Sequence, residues 1–280
     1  MDNFYELEKV LEYSDHFFCI SHFNGNIDWT SKIKKSKYII YNKSNKDLPN
    51  KFNNIKINNV GYNIYSYLIY IINNYENLPN TIVFCKDNVF TRHIEYKLFL
   101  RLLKRKVFTC LEETSIKNNF PNILSLADGG FTEINSSWYK YKHPRLYFAN
   151  YNNFYNYIFK DISIPNFIRF SPGANYIVSR ENILIRSKEF YQNLIKFICH
   201  SQYSCESHFL ERSLYSIWNS NIESSDKMNS EINQNDEKKL KDMCFLIKSK
   251  ENIYFEKIYQ KSVFKIGNIY MKFFLRNSLN

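Results

Sequence analysis

Three short runs early in the chain are almost wholly apolar, and each stops at a polar turn. HFFCISHF (16–23) ends at NGN, and KYIIYNK (37–43) enters the polar loop SNKDLPNKFNN. NTIVFCKDN then stops at Lys86-Asp87-Asn88. Runs of this length without alternation predict strands buried on both faces. Between the second and third lies NNVGYNIYSYLIYIINNYENLP. Its Tyr65, Leu68, Ile69, Ile72 and Tyr75 recur at helical spacing, which predicts a helix that buries them and closes at Asn77 and Pro79. Phe4, Leu7 and Leu11 predict a short leading helix over 4–13. Strand, loop, helix, strand is the rhythm of an α/β domain with a mainly parallel central sheet flanked by helices. Such sheets bind ligands beyond the carboxyl ends of their strands, so the loops from Asn24, Asn42 and Lys86 come first as candidates.

The pattern is less regular further on. EYKLFLRLLKRKVF predicts a helix, SLADGGFTEINSSWYKY an irregular loop leading to a strand, and the aromatic, Asn-rich stretch 146–160 fits neither period. FSPGANYIVSRENILIRSKEFYQNLIKFI predicts a turn at 171–175, a strand at 176–179 and a helix at 187–199. ESHFLERSLYSIWN predicts a helix that buries Phe209, Leu210, Leu214, Ile217 and Trp218. Residues 219–236 are polar without apolar periodicity and predict a linker or loop. From 237 to 280, ten Lys or Arg face four acidic residues among Phe, Tyr and Ile. That basic extension either packs its aromatics on the domain or meets an anionic lipid or acceptor. The division expected is a domain over 1–218, a linker over 219–236 and an extension over 237–280.

Composition changes this picture little. The chain's 280 residues are 44% hydrophobic, enough for a real core, and 18% aromatic. Abundant Asn, Lys, Ile, Tyr and Phe are what an AT-rich genome encodes, so Lys and aromatic richness say little alone. The net charge of +11 still draws the protein to anions such as nucleotides, nucleic acid or an anionic membrane face. Six cysteines, at 19, 85, 110, 199, 205 and 244, form no C-x-x-C pair and read as reduced, mostly buried thiols. No apolar run reaches the ~18–20 residues of a membrane span, and MDNFYELEKV lacks the order of a signal peptide. The expectation is a cytoplasmic protein, with contact at the inner face of the membrane through 237–280.

Candidate chemistry gathers in three places. FCKDNVFTRH puts Lys86, Asp87, Asn88, Arg92 and His93 at a strand's carboxyl end, where Lys and Arg can bond phosphoryl oxygens; a solvated loop would also be polar. Asp128-Gly129-Gly130 with Glu133 offers close backbone approach and a carboxylate base, or else a plain glycine turn. CESHFLER places Glu206, His208, Glu211 and Arg212 on one helix, suited to proton abstraction, metal binding or a structural ion pair. There is no GxGxxG, P-loop or DxD, and six glycines are too few for a glycine-rich phosphate loop.

Three segments together resemble a widespread family catalogued as a domain of unknown function in bacteria, fungi and plants. They are NNVGYNIYSYLIYIINNYENLPNTIVF, FSPGANYIVSRENILIRSKEFYQNLIKFI and ESHFLERSLYSIW, with FNGNIDW and YIIYNK matching its opening strands. The likeness spans about 16–219. Where that family has Gly-Arg-Glu, this chain has Gly61-Tyr62-Asn63, which removes a charged pair. The family's blocks in turn are similar to those of GT-A-like (Rossmann-like) glycosyltransferases, which implies transfer from a nucleotide sugar donor to a surface glycan acceptor.

The resemblance implies that Pro172-Gly173-Ala174-Asn175 is a turn beside the ligand. Strand-end placement puts Asn24, Asp28, Tyr41, Asn42, Lys86, Asp87, Asn88 and Arg92 at the donor side. Lys86, Arg92 and His93 would neutralise the leaving diphosphate, and Asp128 or Glu211 would be the general base. Gly129, Gly130, Glu133, Gly173, Asn175, Glu206, His208 and Arg212 would flank the acceptor. The cofactor stays open: a Mn or Mg ion is one option, and there is no DxD motif to hold it. Two alternatives stay open: a nucleic-acid-binding or other anion-binding module that uses the basic extension, and an inactive family member, for which Tyr62 and Asn63 are the warning.

Overall fold

The computed structural model describes residues 9–113, 123–125, 130–135, 143–160 and 162–250. The strands are β1 (Phe17–His22), β2 (Tyr38–Asn42), β3 (Asn54–Lys56), β4 (Thr81–Lys86), β5 (Thr109–Cys110), β6 (Ile123–Ser125), β7 (Phe131–Ile134), β8 (Phe167–Phe170) and β9 (Tyr176–Ser179). The helices are α1 (Ile64–Asn74), α2 (Val89–Arg92), α3 (Tyr96–Leu102), α4 (Tyr151–Ile158), α5 (Arg180–Leu184), α6 (Lys188–Ile198) and α7 (Cys205–Trp218). A further helical stretch covers 234–250.

The central sheet has six strands in the order β3-β2-β1-β4-β9-β5. The first four are parallel, and β9 runs antiparallel to both β4 and β5. The sheet is thus mixed and mostly parallel. Every residue of β2 and β4 is buried, as their unbroken apolar runs require. Period-two alternation sends Cys19, Ile82 and Phe84 to one core, and Phe18, Ile20, Val83 and Cys85 to the other. A second sheet, β6-β7-β8, is antiparallel. α7 packs on β8 and on α4 and α6, and Trp218 at its end stacks on Phe84, ring centroids 5.3 Å apart.

Several expectations change. The face of α1 that is fully buried is Ile64, Tyr67, Leu68 and Ile71. Tyr65, Ile69, Ile72 and Tyr75 are only partly buried at the flank of that core. The helix is apolar nearly all round, so spacing alone could not choose its inner face. Helix α3 stops at Leu102, short of the expected 108. Residues 151–158 are helical and capped by Asn150, whose side chain accepts from Asn153 N. Residues 219–233 are irregular apart from a 3-10 turn at Asp226–Met228, but they do not hang free. Met228 and Ile232 are buried, and Asn193 Nδ2 donates to the Met228 and Ser230 carbonyls while its Oδ1 accepts from Ile232 N. The leading helix is seen over 9–12, and its Leu11 is buried; Phe4 and Leu7 lie outside the described residues, as does the extension beyond 250. No helix among the described residues is long and apolar enough to cross a membrane.

Candidate functional site

From β1 the chain steps to β2 and β3 on one side, then crosses to β4 on the other. The crevice beyond the carboxyl ends of β1 and β4 is therefore a topological switch point, where open α/β sheets bind ligands. A cavity of about 190 Å³ opens there. Ser21 and Phe23 line it from the end of β1, Lys43 from β2, and Lys86, Asp87 and Asn88 from β4. Asn59, Tyr62 and Asn63 enter from the loop before α1, Arg92 from α2, and Tyr203 from the loop before α7.

Three cations face this cavity, and none forms a salt bridge among the described residues. Lys43 Nζ donates to the carbonyls of Val60 (2.5 Å) and Tyr62. Lys86 Nζ donates to Tyr62 Oη at 2.8 Å and lies 4.6 Å from the centre of that ring. Tyr62 thus holds both ammonium groups, one with its carbonyl and one with its hydroxyl. It does so from a left-handed backbone (φ 53°), with Gly61 (φ 61°) before it. The loop is fixed because Gly61 N and Tyr62 N donate to the carbonyls of Ser201 and Gln202. Such backbone strain in a bulky residue is sustained only where the surroundings over-determine it. Arg92 is exposed and makes no hydrogen bond among the described residues. Burial lowers the pKa of Lys43 to about 7. Burial likewise depresses that of Lys86, with Glu211 opposing and Arg92 adding to the shift.

Asp87 is the one carboxylate in the wall among the described residues. Its Oδ2 accepts from the amides of Phe23 (2.8 Å) and Gly25 (2.6 Å), and His22 Nδ1 lies 2.9 Å away. Burial alone would raise its pKa; the bonds from His22, Phe23 and Gly25 outweigh that and leave it lowered. Asp87 therefore ties the loop after β1 to β4. Asn63 Nδ2 donates to Tyr67 Oη and to the Gly173 carbonyl, which fixes its amide orientation and leaves its Oδ1 without a donor. Asn88 Oδ1 is also buried without one.

The Pro172–Asn175 turn does not line the cavity but sits beneath it. Gly173 (φ 77°) and Ala174 (φ 54°) are left-handed. Gly173 N donates to Glu211 Oε1 at 2.6 Å, its carbonyl accepts from Asn63, and Asn175 Oδ1 accepts from Lys86 N at 3.1 Å. His93 packs against the same glycine: a Cβ there would lie 2.5 Å from His93 Cε1. The turn thus braces the two residues that carry the floor, Asn63 and Lys86.

The predicted acceptor side is built of internal pairs. Arg212 bonds both oxygens of Glu133 and reaches Glu211 Oε2 at 3.2 Å, all three buried. Glu206, fully buried, accepts from the amides of Leu146, Tyr147 and Phe148 and lies 3.0 Å from His200 Nε2. His93 Nδ1 meets Glu112 Oε2 at 2.7 Å deep in the core. His208 is pushed down to a pKa of about 3, chiefly by burial and then by Arg212, so its ring is neutral near pH 7.

The cavity thus brings together Lys86, Asp87, Asn88 and Arg92 from the donor set. It does not include Asn24 and Asp28, which are exposed elsewhere. Tyr41 is core, and Asn42 turns inward to bond Ser44 and the Lys46 carbonyl. Gly130 is buried at the start of β7, and Asp128 and Gly129 lie outside the described residues. His93, Glu133, Gly173, Asn175, Glu206, His208, Glu211 and Arg212 are not in the cavity wall. Lys43, Tyr62, Asn63 and Tyr203 were missed. Lys43 reads as the last residue of a strand, although its place at a carboxyl end was available as a clue.

Neither a curated protein nor a solved structure matches the chain significantly. Residues 20–235 match the family described as "Protein of unknown function (DUF3431)", which takes in both sheets from the second half of β1 onward, the cavity and the docked segment after α7, and the chain belongs to that family.

Proposed function

We propose that the protein is a glycosyltransferase whose cavity receives the phosphoryl end of a nucleotide-activated sugar, the acceptor being a hydroxyl of a surface glycan. The observation that carries this reading is the meeting of Lys43, Lys86 and Arg92, none in a salt bridge among the described residues, at the switch point of the sheet. Uncompensated cations in a half-dry crevice favour a polyanion. A volume of about 190 Å³ is below the ~300–1,000 Å³ of pockets that enclose a drug-sized ligand. The cavity suits a diphosphate, with the rest of the donor lying across the mouth between Phe23 and Tyr203.

In this reaction the bond from the anomeric carbon to the diphosphate oxygen breaks, and its electron pair leaves with the diphosphate. The acceptor oxygen bonds the same carbon, and its proton passes to a base. Charge develops on the diphosphate, where Lys43, Lys86 and Arg92 stabilise it. Glu211 is a poor base because Gly173 N and Arg212 occupy its oxygens; Asp128 keeps that role in this reading. The described residues lining the cavity, with Asp87 as their one carboxylate, do not fit Mn or Mg.

The basic extension supports the competing nucleic-acid reading less. Over its described part, Lys239 pairs with Asp236 and Lys241 with Glu237. Thermal unfolding of the purified chain against nucleotide sugars and free nucleotides tests the proposal. A ligand at 100 times its dissociation constant adds about 2.7 kcal/mol. A selective shift with one nucleotide class is expected. No shift across the panel, with a salt-sensitive shift on adding oligonucleotide, would replace the transferase by the nucleic-acid module.

A further inference from the structure

GT-A-like transferases lead to the expectation of a Mn or Mg ion, and the wall of this cavity is built against one. A hard divalent cation seeks about six oxygen ligands, carboxylates foremost. Asp87 is the single carboxylate here, and its Oδ2 already receives two amides with His22 beside it. Gly25 closes on the same group, for a Cβ there would lie 2.5 Å from Asp87 Cγ and 2.7 Å from Oδ1. Asn63 Oδ1 and Asn88 Oδ1 are neutral oxygens and offset none of the charge on Lys43, Lys86 and Arg92. Among the described residues, no group of three or more His, Cys, Asp or Glu is placed to hold a metal ion. An added dication would meet three positive side chains against one engaged carboxylate.

We infer that the cavity binds its phosphoryl ligand without a divalent cation, Lys43, Lys86 and Arg92 standing where the metal's charge would be. The inference rests on the reading that the cavity takes a phosphoryl group. The three cations divide the task by their mobility. Lys43 and Lys86 are held in place by Tyr62, and a phosphoryl anion beside them favours their charged forms and makes them fixed point charges on the floor. Arg92 is free at the rim, and its planar fork can close on two oxygens of the ligand from the open side.

Calorimetric titration of the full chain with pyrophosphate decides the matter, run in EDTA and again with Mn²⁺ at matched free pyrophosphate. Affinities equal within about threefold are expected, and Arg92→Ala, a change at an exposed side chain, should weaken both by about tenfold or more. Mn²⁺ added alone and followed by electron paramagnetic resonance should stay free. A tenfold gain with Mn²⁺, stoichiometric binding of Mn²⁺ alone, or an Arg92→Ala affinity equal to wild type would overturn the inference and leave the phosphoryl reading standing. Absence of pyrophosphate binding under both conditions would remove the two together.

Discussion

Two sets of buried charge lie close together in this molecule, and they differ in one respect. In the first, Glu133, Arg212 and Glu211 bond one another, and Glu206 is saturated by three amides and His200. In the second, Lys43 and Lys86 are buried as deeply but hold only carbonyls and a hydroxyl, with Arg92 free beside them. Burial of an ion is costly unless another charge or several hydrogen bonds compensate. The first set is compensated from within, so its role is to join the second sheet, α7 and the Gly173 turn. The second set is undercompensated, and the missing partner is what a ligand would bring.

The comparison can be broken most sharply at Arg212. Arg212→Met leaves Glu133 and Glu211 buried without their cation, and the loss of one partner should cost about 3–5 kcal/mol. Urea unfolding measures this, and a loss below about 1 kcal/mol would move Arg212 into the functional set. Lys86→Met should behave oppositely. It removes a buried charge that forms no salt bridge among the described residues, so stability should hold or rise, while affinity for pyrophosphate falls about 10–100-fold. A variant that unfolds yet still binds when refolded would erase the distinction.

Gly173→Ala probes the brace between the two sets. It forces a Cβ into a left-handed backbone (φ 77°) and against the His93 ring. A cost of at least about 1–2 kcal/mol is expected, with weakened anion binding because Asn63 and Lys86 lean on the turn. Wild-type stability with intact binding would mean the turn is slack.

The last effect concerns pH. Lys43 titrates near a pKa of about 7 in the fold, against about 10.4 for an unfolded lysine. Between those values the unfolded chain binds the extra proton. On this group's account, stability therefore rises as pH climbs from about 7 to about 10.4, and is lost as pH falls through 7. Lys86, depressed in the same direction, adds to the trend. Lys43→Met should be relatively most stabilised below about pH 7, and its advantage should shrink towards about pH 10. Parallel urea midpoints for variant and wild type over that range would show that burial does not depress Lys43.

Charged motifs were the least reliable part of the sequence reading, for a physical reason. In CESHFLER, Glu206, Glu211 and Arg212 look like a catalytic cluster because a helix presents its polar groups alike to a ligand or to another chain segment. Besides the local contacts with His200 and between Glu211 and Arg212, they have partners 38 to 79 residues away along the chain, at Gly173, Leu146 and Glu133. Tyr62 shows the converse. As a departure from the family pattern it read as a loss, and in space it holds both lysines of the cavity.

What the sequence determined by itself is the scaffold near the site. Unbroken apolar runs specify β1, β2 and β4, turn residues stop them, and serine caps start α6 and α7 at Ser187 and Ser204. Those are local properties, written within a few residues. It also placed Lys86, Asp87, Asn88 and Arg92 at a strand's carboxyl end, because parallel sheets bind there whatever their sequence. Only the tertiary structure decided which buried charges have partners. Pairing depends on segments brought together by the sheet order and by the docking of α7, and nothing in the neighbourhood of a glutamate reveals whether an arginine or a ligand will face it.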